Sequence, residues 1–454
     1  MATLLVGAGI TTWLLLSHGQ GGEQERNRLE AIKTAGTIVV GTGGAAALLL
    51  AARRQRTSEI ALRQKDRDQE DVARTHRLQE QVALATQDDA AQRRNSELYI
   101  KSVEQIGSSQ AVVRLGGLYA LERLATENEN HRQTAVNVFC AYLRMPFTPP
   151  SRTSGAGTSP DDPAEESSQQ ELQARLTAQR ILVKHLRPTS PVSPGTPSVH
   201  HWKDVELDLA DAALVNWDMR QCVAHESTFD RARFYGDTRF DGANLAGSTS
   251  FEDAHFHGPV IFDGAAFSNV TSFERTVFDD QAKFVGAWFG STTSFDNTSF
   301  AMSSSFQDAR FVDDAWFCET EFYGSTTYED AYFERIAAFN DATFGNVAAF
   351  ERASFNQIAG FGDVRFIGHA KFTGARFGHH AWFRRAEFCR TVSFDIARFS
   401  LDLWLAGATF HDDAWFRNLY LGGEASFEHA SFSRTANFDS VRLGRPEGNR
   451  TVWP

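Results

Sequence analysis

The amino-acid sequence predicts an α plus β-solenoid protein, with N-terminal helices followed by a rod of stacked coils. Three observations carry this prediction. Among its 454 residues the chain holds 37 Phe against 4 Met and 8 Tyr, a bias that marks one structural slot filled many times. From Phe251 onward Phe recurs at every eleventh position, as in Phe251, Phe262 and Phe273, and Phe256 and Phe267 start a second register with the same step. Charge is also divided: Asp204 to Leu443 carries 35 acidic and 19 basic residues, net −16, whereas the remainder carries 22 acidic and 26 basic, net +4.

Composition removes several classes. With 42% hydrophobic and 22% charged residues the chain is a folded protein, long enough for two or three domains at roughly 100 to 200 residues each. A net charge of −12 argues against direct nucleic-acid binding, which needs a basic footprint. Cys140, Cys222, Cys318 and Cys389 lie far apart with no CxxC pair, so neither a disulfide framework nor a zinc knuckle is indicated. They are expected as reduced, partly buried thiols.

Residues 1–56 are expected to form a membrane anchor. Ala2 to Ser17 and Thr34 to Ala52 contain no charged residue and flank the polar stretch EQERNRLEAIK. The second stretch has 19 residues and as a helix covers about 28 Å, close to the hydrocarbon thickness of roughly 30 Å. Arg53, Arg54, Arg56, Arg63, Lys65 and Arg67 come after it, against Arg26, Arg28 and Lys33 before it. The positive-inside rule then places the bulk of the chain in the cytoplasm, at the cell membrane. The first stretch is shorter and has no basic n-region, making it a poor signal peptide and a short first transmembrane helix; a single span is the alternative. Gly41, Gly43 and Ala46 have the GxGxxA spacing of a dinucleotide-binding turn. No strand-helix-strand unit comes after it, so packing of small residues between spans is the better account.

Residues 57–147 are expected to be a cytoplasmic helical region. The stretch 57–100 is polar nearly all round, which suits an exposed or self-associating helix. A helical hairpin comes next: Leu115, Leu118, Leu121 and Leu124 fall three apart, then Ala135, Val138, Phe139, Tyr142 and Leu143 have i, i+3, i+4, i+7, i+8 spacing before Pro146. One such unit buries little alone, so it is expected to pack on the 57–100 helix or on another copy, giving a homo-oligomer. Residues 148–203 are expected as flexible linkers around a short helix, 169–186.

The repeat domain is assigned to residues 204–445, with a tail at 446–454. The two registers contain 32 Phe in 36 positions, from Phe251 to Phe438 and from Phe256 to Leu443. Two residues before each Phe stands a small or modest side chain, such as Ala254, Ala265, Thr276 or Ala287. A strand's period of two turns both inward and the residue between them outward. Gly, Asp and Asn in the gaps supply turns. Short turned segments of this kind form a core only by stacking.

The pattern resembles the pentapeptide-repeat family. Leu209, Leu214 and Met219 within LDLADAALVNWDM carry the commoner five-residue form, and the spacing of five and six then continues through Phe229 and Phe234. The resemblance implies a right-handed four-sided β-helix, here with about 22 residues per coil instead of 20, roughly ten coils and a rod near 50 Å at about 4.8 Å per coil. The stretches RLEAIKTAGTIVVGTGGAAALLLAARRQR, ELYIKSVEQIGSS, VRLGGLYALERLA and CAYLRMP also look like membrane-tethered bacterial members of that family.

Stepping by 22 predicts an outward column of Trp288, Arg310, Tyr332, Ser354, Arg376, Arg398, Tyr420 and Arg442. A second column holds Trp382 and Trp404, with Trp316 three coils earlier. Trp, Tyr and Arg are favoured hot-spot types, so these are the candidate partner-binding strip; outward bulky residues that merely cover the sheet are the plainer alternative. His255 and His257 alternate on one strand, and His379 and His380 precede Glu387 and Cys389. No third metal ligand or nucleophile-base pair has recognisable spacing, so no catalytic residue, metal or cofactor is expected. The expected function is a non-catalytic, membrane-anchored scaffold or protein-interaction rod with an unidentified protein partner. The alternative comes from the resemblance: some soluble members are acidic rods that mimic B-DNA and bind type II topoisomerases.

Overall fold

The computed structural model describes residues 13, 23–150, 163–189 and 196–444. The chain divides into two compact units, Met1–Arg93 and Arg94–Pro454. Helix α1, Glu23–Ile106, is 84 residues long and supplies the first unit. Its sequence is rich in Ala, Glu, Gln, Arg and Leu, the strongest helix formers. From residue 44 to 90 its side chains are exposed, including Leu48, Ile60, Val72 and Leu84. Hydroxyls along it satisfy carbonyls one turn back, as Thr75 Oγ1 donates to Asp71 O at 2.7 Å and Thr86 Oγ1 to Val82 O at 2.7 Å.

The expected anchor is not supported by this fold. Among the described residues no helix is long and apolar enough to cross a membrane. EQERNRLEAIK, expected to separate two spans, is helical from Glu23 and continuous with the remainder of α1. Ala2 to Ser17 lies outside the described residues apart from Trp13, as do the side chains of residues 34–43.

The second unit begins with a helical cap made of the last turns of α1 with α2, Ala111–Glu127, α3, Arg132–Arg144, and α4, Pro163–Leu186. Gly117 lets α2 meet α1 closely, because a Cβ there would stand 2.7 Å from the Ser102 carbonyl oxygen. Leu118, Leu121 and Leu124 of α2 and Phe139 and Leu143 of α3 are buried with Ala174, Ala178, Ile181 and Leu182 of α4. The hairpin therefore finds its partner in α4, a helix longer than the 169–186 that the sequence suggests. Pro163 fits the first helical position, and Glu165 and Glu166 lie in the first turn, where the dipole favours acids. Buried Arg175 ties α4 to the end of α3, donating to Leu143 O at 3.0 Å, Met145 O at 2.8 Å and Glu171 Oε1 at 2.8 Å. Lys184 and buried His185 each reach Glu122 Oε1 at 2.8 Å.

Two glutamines join the cap to the rod by imitating a peptide group. Gln179 donates to Val215 O at 2.9 Å and accepts from Val215 N at 3.1 Å; Gln133 does the same to Glu206 at 2.9 and 3.0 Å. An open strand edge would otherwise leave those backbone groups unpaired.

The rod has four faces of two- or three-residue strands, with 11, 11, 10 and 11 strands. Face 1 runs from Leu207–Asp208 to Ala425–Ser426, face 2 from Ala213–Val215 to Ser431–Phe432, face 3 from Thr238–Arg239 to Ala436–Asn437, and face 4 from Val223–Ala224 to Arg442–Leu443. All pair in parallel with the next coil. The first pairings, Leu207 with Ser227 and Ala213 with Arg233, belong to a coil of four five-residue units. Val223 with Asn244 is one position longer, and Ser227 with Thr249 is longer by two. The five-residue units of the first coil thus give way to alternating five and six.

Inside, each Phe stacks on its counterpart in the next coil. Phe273 lies 4.7 Å from Phe295 at 4° and meets Phe284 edge-on at 5.6 Å and 86°. The small inward position is Ala on most coils. Where it is Thr276, Thr298 and Thr320, the hydroxyl donates to the carbonyls of Phe251, Phe273 and Phe295 at 2.7, 2.6 and 2.8 Å. Turns leaving faces 1 and 3 place one residue at positive φ, for example Asp253 at 56° and Gly264 at 61°. That position favours glycine. Side-chain bonds between coils replace it: Arg275, at 55°, makes a fork to Asp253 at 2.8 and 3.0 Å.

Tyr328 occupies a Phe slot with its ring fully buried and its hydroxyl unpartnered among the described residues, and burial pushes its ionisation well above the ordinary value. Tyr328→Phe should therefore stabilise the rod by about 1 kcal/mol, read as a higher urea midpoint with unchanged slope; a lower midpoint would show that the hydroxyl is satisfied. In the cap, the His185 hydrogen bond, helped by Lys184, holds the Glu122 carboxyl down at about 2 from its usual 4.5, against burial that would raise it. Its stabilisation is complete above the unfolded value and is lost as pH falls through about 2. Acid unfolding followed by helix circular dichroism should show this loss in wild type, and Glu122→Gln should flatten it.

Candidate interaction surface

An outward side chain on this rod has a fixed neighbour one coil above and one below, so surface chemistry is set by columns. Face 4 aligns Trp288, Arg310, Tyr332, Ser354, Arg376, Arg398, Tyr420 and Arg442 in consecutive register pairs. Arg310 lies over the Tyr332 ring at 4.9 Å and reaches Glu334 at 3.3 Å. Arg398 lies over Tyr420 at 5.4 Å. Arg376 and Arg398 are register partners, both exposed, and among the described residues neither has a carboxylate within ion-pair distance. Like charges directly opposed on adjacent strands are destabilising.

Face 1 adjoins face 4 around the coil. It pairs Trp382 with Trp404, 42% and 37% exposed. Arg376 precedes Trp382, and Arg398 precedes Trp404, by one short turn, so the same two coils present a tryptophan pair and an arginine pair on either side of one corner. The tryptophans line an open groove of about 460 Å³ with His380, Arg384, Ala406, Ser426 and Glu428. Below Trp382 the outward positions are Gly360 and Ala338, which separate it from half-buried Trp316.

Acidic groups have a different role. Asp230, Asp263, Asp296, Asp395 and Asp402 each accept from the backbone N–H one coil later, at 2.7 to 3.2 Å. Others pair with arginines of the neighbouring coil, as in Asp211 with Arg231 at 2.8 Å, Asp330 with Arg352 and Asp363 with Arg385. Much of the net charge of the repeat domain is thus absorbed in holding coil to coil.

The histidine groups separate. His379 and His380 meet edge-on at 4.3 Å, but Glu387 bonds Arg365 at 2.8 Å and His411 at 3.1 Å. Burial raises all four thiols, Cys140 and Cys222 to about 12 and Cys318 to about 11, so none is poised as a nucleophile. His255 and His257, in contrast, converge on Asp279. Sequence spacing had not singled out that third residue, although stepping 22 from His257 reaches it.

The fold and its columns define the class: a parallel β-solenoid repeat protein whose outer surface is a lattice of aligned side chains. Residues 229–277 match the family model of pentapeptide repeats (9 copies), and the four-faced solenoid with its stacked Phe ladder agrees with that match. No curated protein and no solved structure matches it.

If Arg376 and Arg398 repel without an internal partner, Arg376→Ser should raise the melting temperature at low salt by about 1 °C, and the gain should vanish in high salt. A fall at low salt would show that Arg376 is paired within the rod.

Proposed function

We propose that this protein is a non-catalytic interaction scaffold whose rod docks an acidic, aromatic-bearing protein segment along the corner between faces 4 and 1. The observation that carries this reading is the register pair Arg376 and Arg398, neither of which has a carboxylate within ion-pair distance among the described residues, set beside the paired Trp382 and Trp404. Two arginines in register on adjacent strands of an otherwise acidic rod cost stability that an anionic partner would recover. The tryptophans supply the desolvated anchor that such a contact needs.

Membrane tethering is the second part of the proposal and rests on sequence: the uncharged stretch Thr34 to Ala52 leads directly into Arg53, Arg54 and Arg56. A tether would leave the rod free to collect its partner at the cytoplasmic face. Topoisomerase binding by charge mimicry is the weaker reading, since mimicry needs continuous acidic ridges and the carboxylates here are interleaved with Arg231, Arg275, Arg352 and Arg385.

A photo-crosslinking residue at position 354, in cells, tests docking. A discrete crosslinked band should appear, weaken at high salt, and disappear in the Arg376→Glu, Arg398→Glu double variant while surviving Arg365→Glu on face 2. Equal crosslinking in both variants would end the proposal. Carbonate-resistant pelleting of the full chain is the expected result for a tether, and release into the supernatant removes it.

A further inference from the structure

A chelating arrangement stands on face 2, opposite the proposed docking column. His255 lies on the strand His255–Phe256, and His257 comes two positions after it. Alternation along the strand sends both rings outward on either side of buried Phe256. The next coil brings Asp279, which occupies the position of His257 one repeat later. Asp279 Oδ2 lies 2.8 Å from His255 Nε2 and 3.0 Å from His257 Nδ1. The two imidazoles have their centroids 3.9 Å apart, and the three ligand atoms all lie within 4.8 Å of one another.

The surroundings fix the group further. Tyr235, one coil before His257, stacks on its ring at 4.8 Å and limits its rotation. The backbone N–H groups of His255 and His257 bond to Ala232 O at 2.9 Å and Phe234 O at 2.8 Å, so the strand that carries both rings is held by the ladder.

We propose that His255, His257 and Asp279 bind one borderline divalent transition-metal ion, such as zinc or cobalt, through two imidazole nitrogens and one carboxylate oxygen. The donor set is the one such ions select. Ligand atoms around a tetrahedral ion with bonds of about 2.0 to 2.2 Å stand roughly 3.3 Å apart. The present separations are those of hydrogen bonds, so replacing the protons by an ion needs an opening of about half an ångström. Exposed side chains can make that movement. Three protein ligands leave a fourth position for water, and the ion would bridge two coils, tying face 2 together where Asp279 stacks on His257.

The test uses the full-length protein stripped of metal with a chelator, titrated with Co²⁺ and followed by visible absorption and by melting temperature. One Co²⁺ per chain should bind, with a d–d band that Zn²⁺ abolishes by displacement, and Zn²⁺ should raise the melting temperature of the wild type. Even the outer hydrogen-bond partners of metal ligands are each worth about 10- to 100-fold in affinity, so removing a ligand in His257→Gln or Asp279→Asn should cost about tenfold or more. His411→Gln, which removes an exposed histidine bound to Glu387 elsewhere on the rod, should bind as wild type does. All substituted positions point outward, and circular dichroism confirms that each variant is folded. Wild-type affinity weaker than millimolar, or unchanged affinity in His257→Gln and Asp279→Asn, overturns the site.

Discussion

The rod depends on stacking of phenyl rings at the spacing of a parallel sheet. Neighbouring strands stand about 4.8 Å apart, and the Phe centroids repeat at that distance, as in Phe284 on Phe306 at 4.8 Å and 1°. Each ring contributes on the order of 1.5 to 3 kcal/mol by burial, and aromatic contacts add about 0.5 to 1.5 kcal/mol per favourable pair. Strands of two residues have almost no stability of their own. They persist because a single inward ring and a single inward small residue are repeated until the columns fill the interior. Leu405 and Leu421 replace Phe in their columns and remain buried, which shows that the slot demands apolar volume and accepts an aliphatic side chain.

Stacking leaves two problems, the turns and the ends. At the turns, positive φ would ordinarily select glycine, and the protein instead uses charged residues that bond to the coil before, as Arg275 does to Asp253. This substitution explains why an acidic composition is compatible with a dense parallel sheet: many carboxylates accept backbone N–H groups or guanidinium forks from the next coil. At the N-terminal end, α4 and the hairpin cover the first coil, and Gln133 and Gln179 complete its hydrogen bonding. Solenoids require such caps because each repeat is satisfied only by its neighbours.

With the core and turns occupied, the outward strand position is the freest to vary. That freedom makes the two surface groups informative, because their side chains take no part in the backbone ladder. The arginine pair beside the tryptophan pair faces one way, and the two histidines with Asp279 face the other. Both arise from residues that are remote in sequence and become neighbours only because successive coils stack in register.

The sequence by itself determined the solenoid, its eleven-residue period and the inward identity of nearly every Phe, since a period-two strand with one large and one small inward residue admits no other packing. It also determined the face 4 column, which is a consequence of the period. Tertiary structure decided what the period cannot express. Residues 163–186 have a polar, Ser- and Gln-rich start that looks like linker, and only their contact with Phe139, Leu143 and the first coil makes them a cap. The polar stretch EQERNRLEAIK, expected to lie between two spans, is instead the start of the single helix Glu23–Ile106, because Glu, Gln, Arg, Leu and Ala are strong helix formers. Asp279 became a neighbour of His255 and His257 through the stacking of coils, and that no carboxylate among the described residues comes within ion-pair distance of Arg376 or Arg398 is a fact of three-dimensional spacing. Periodicity fixes which way a side chain points, and only the packed coils fix what it meets.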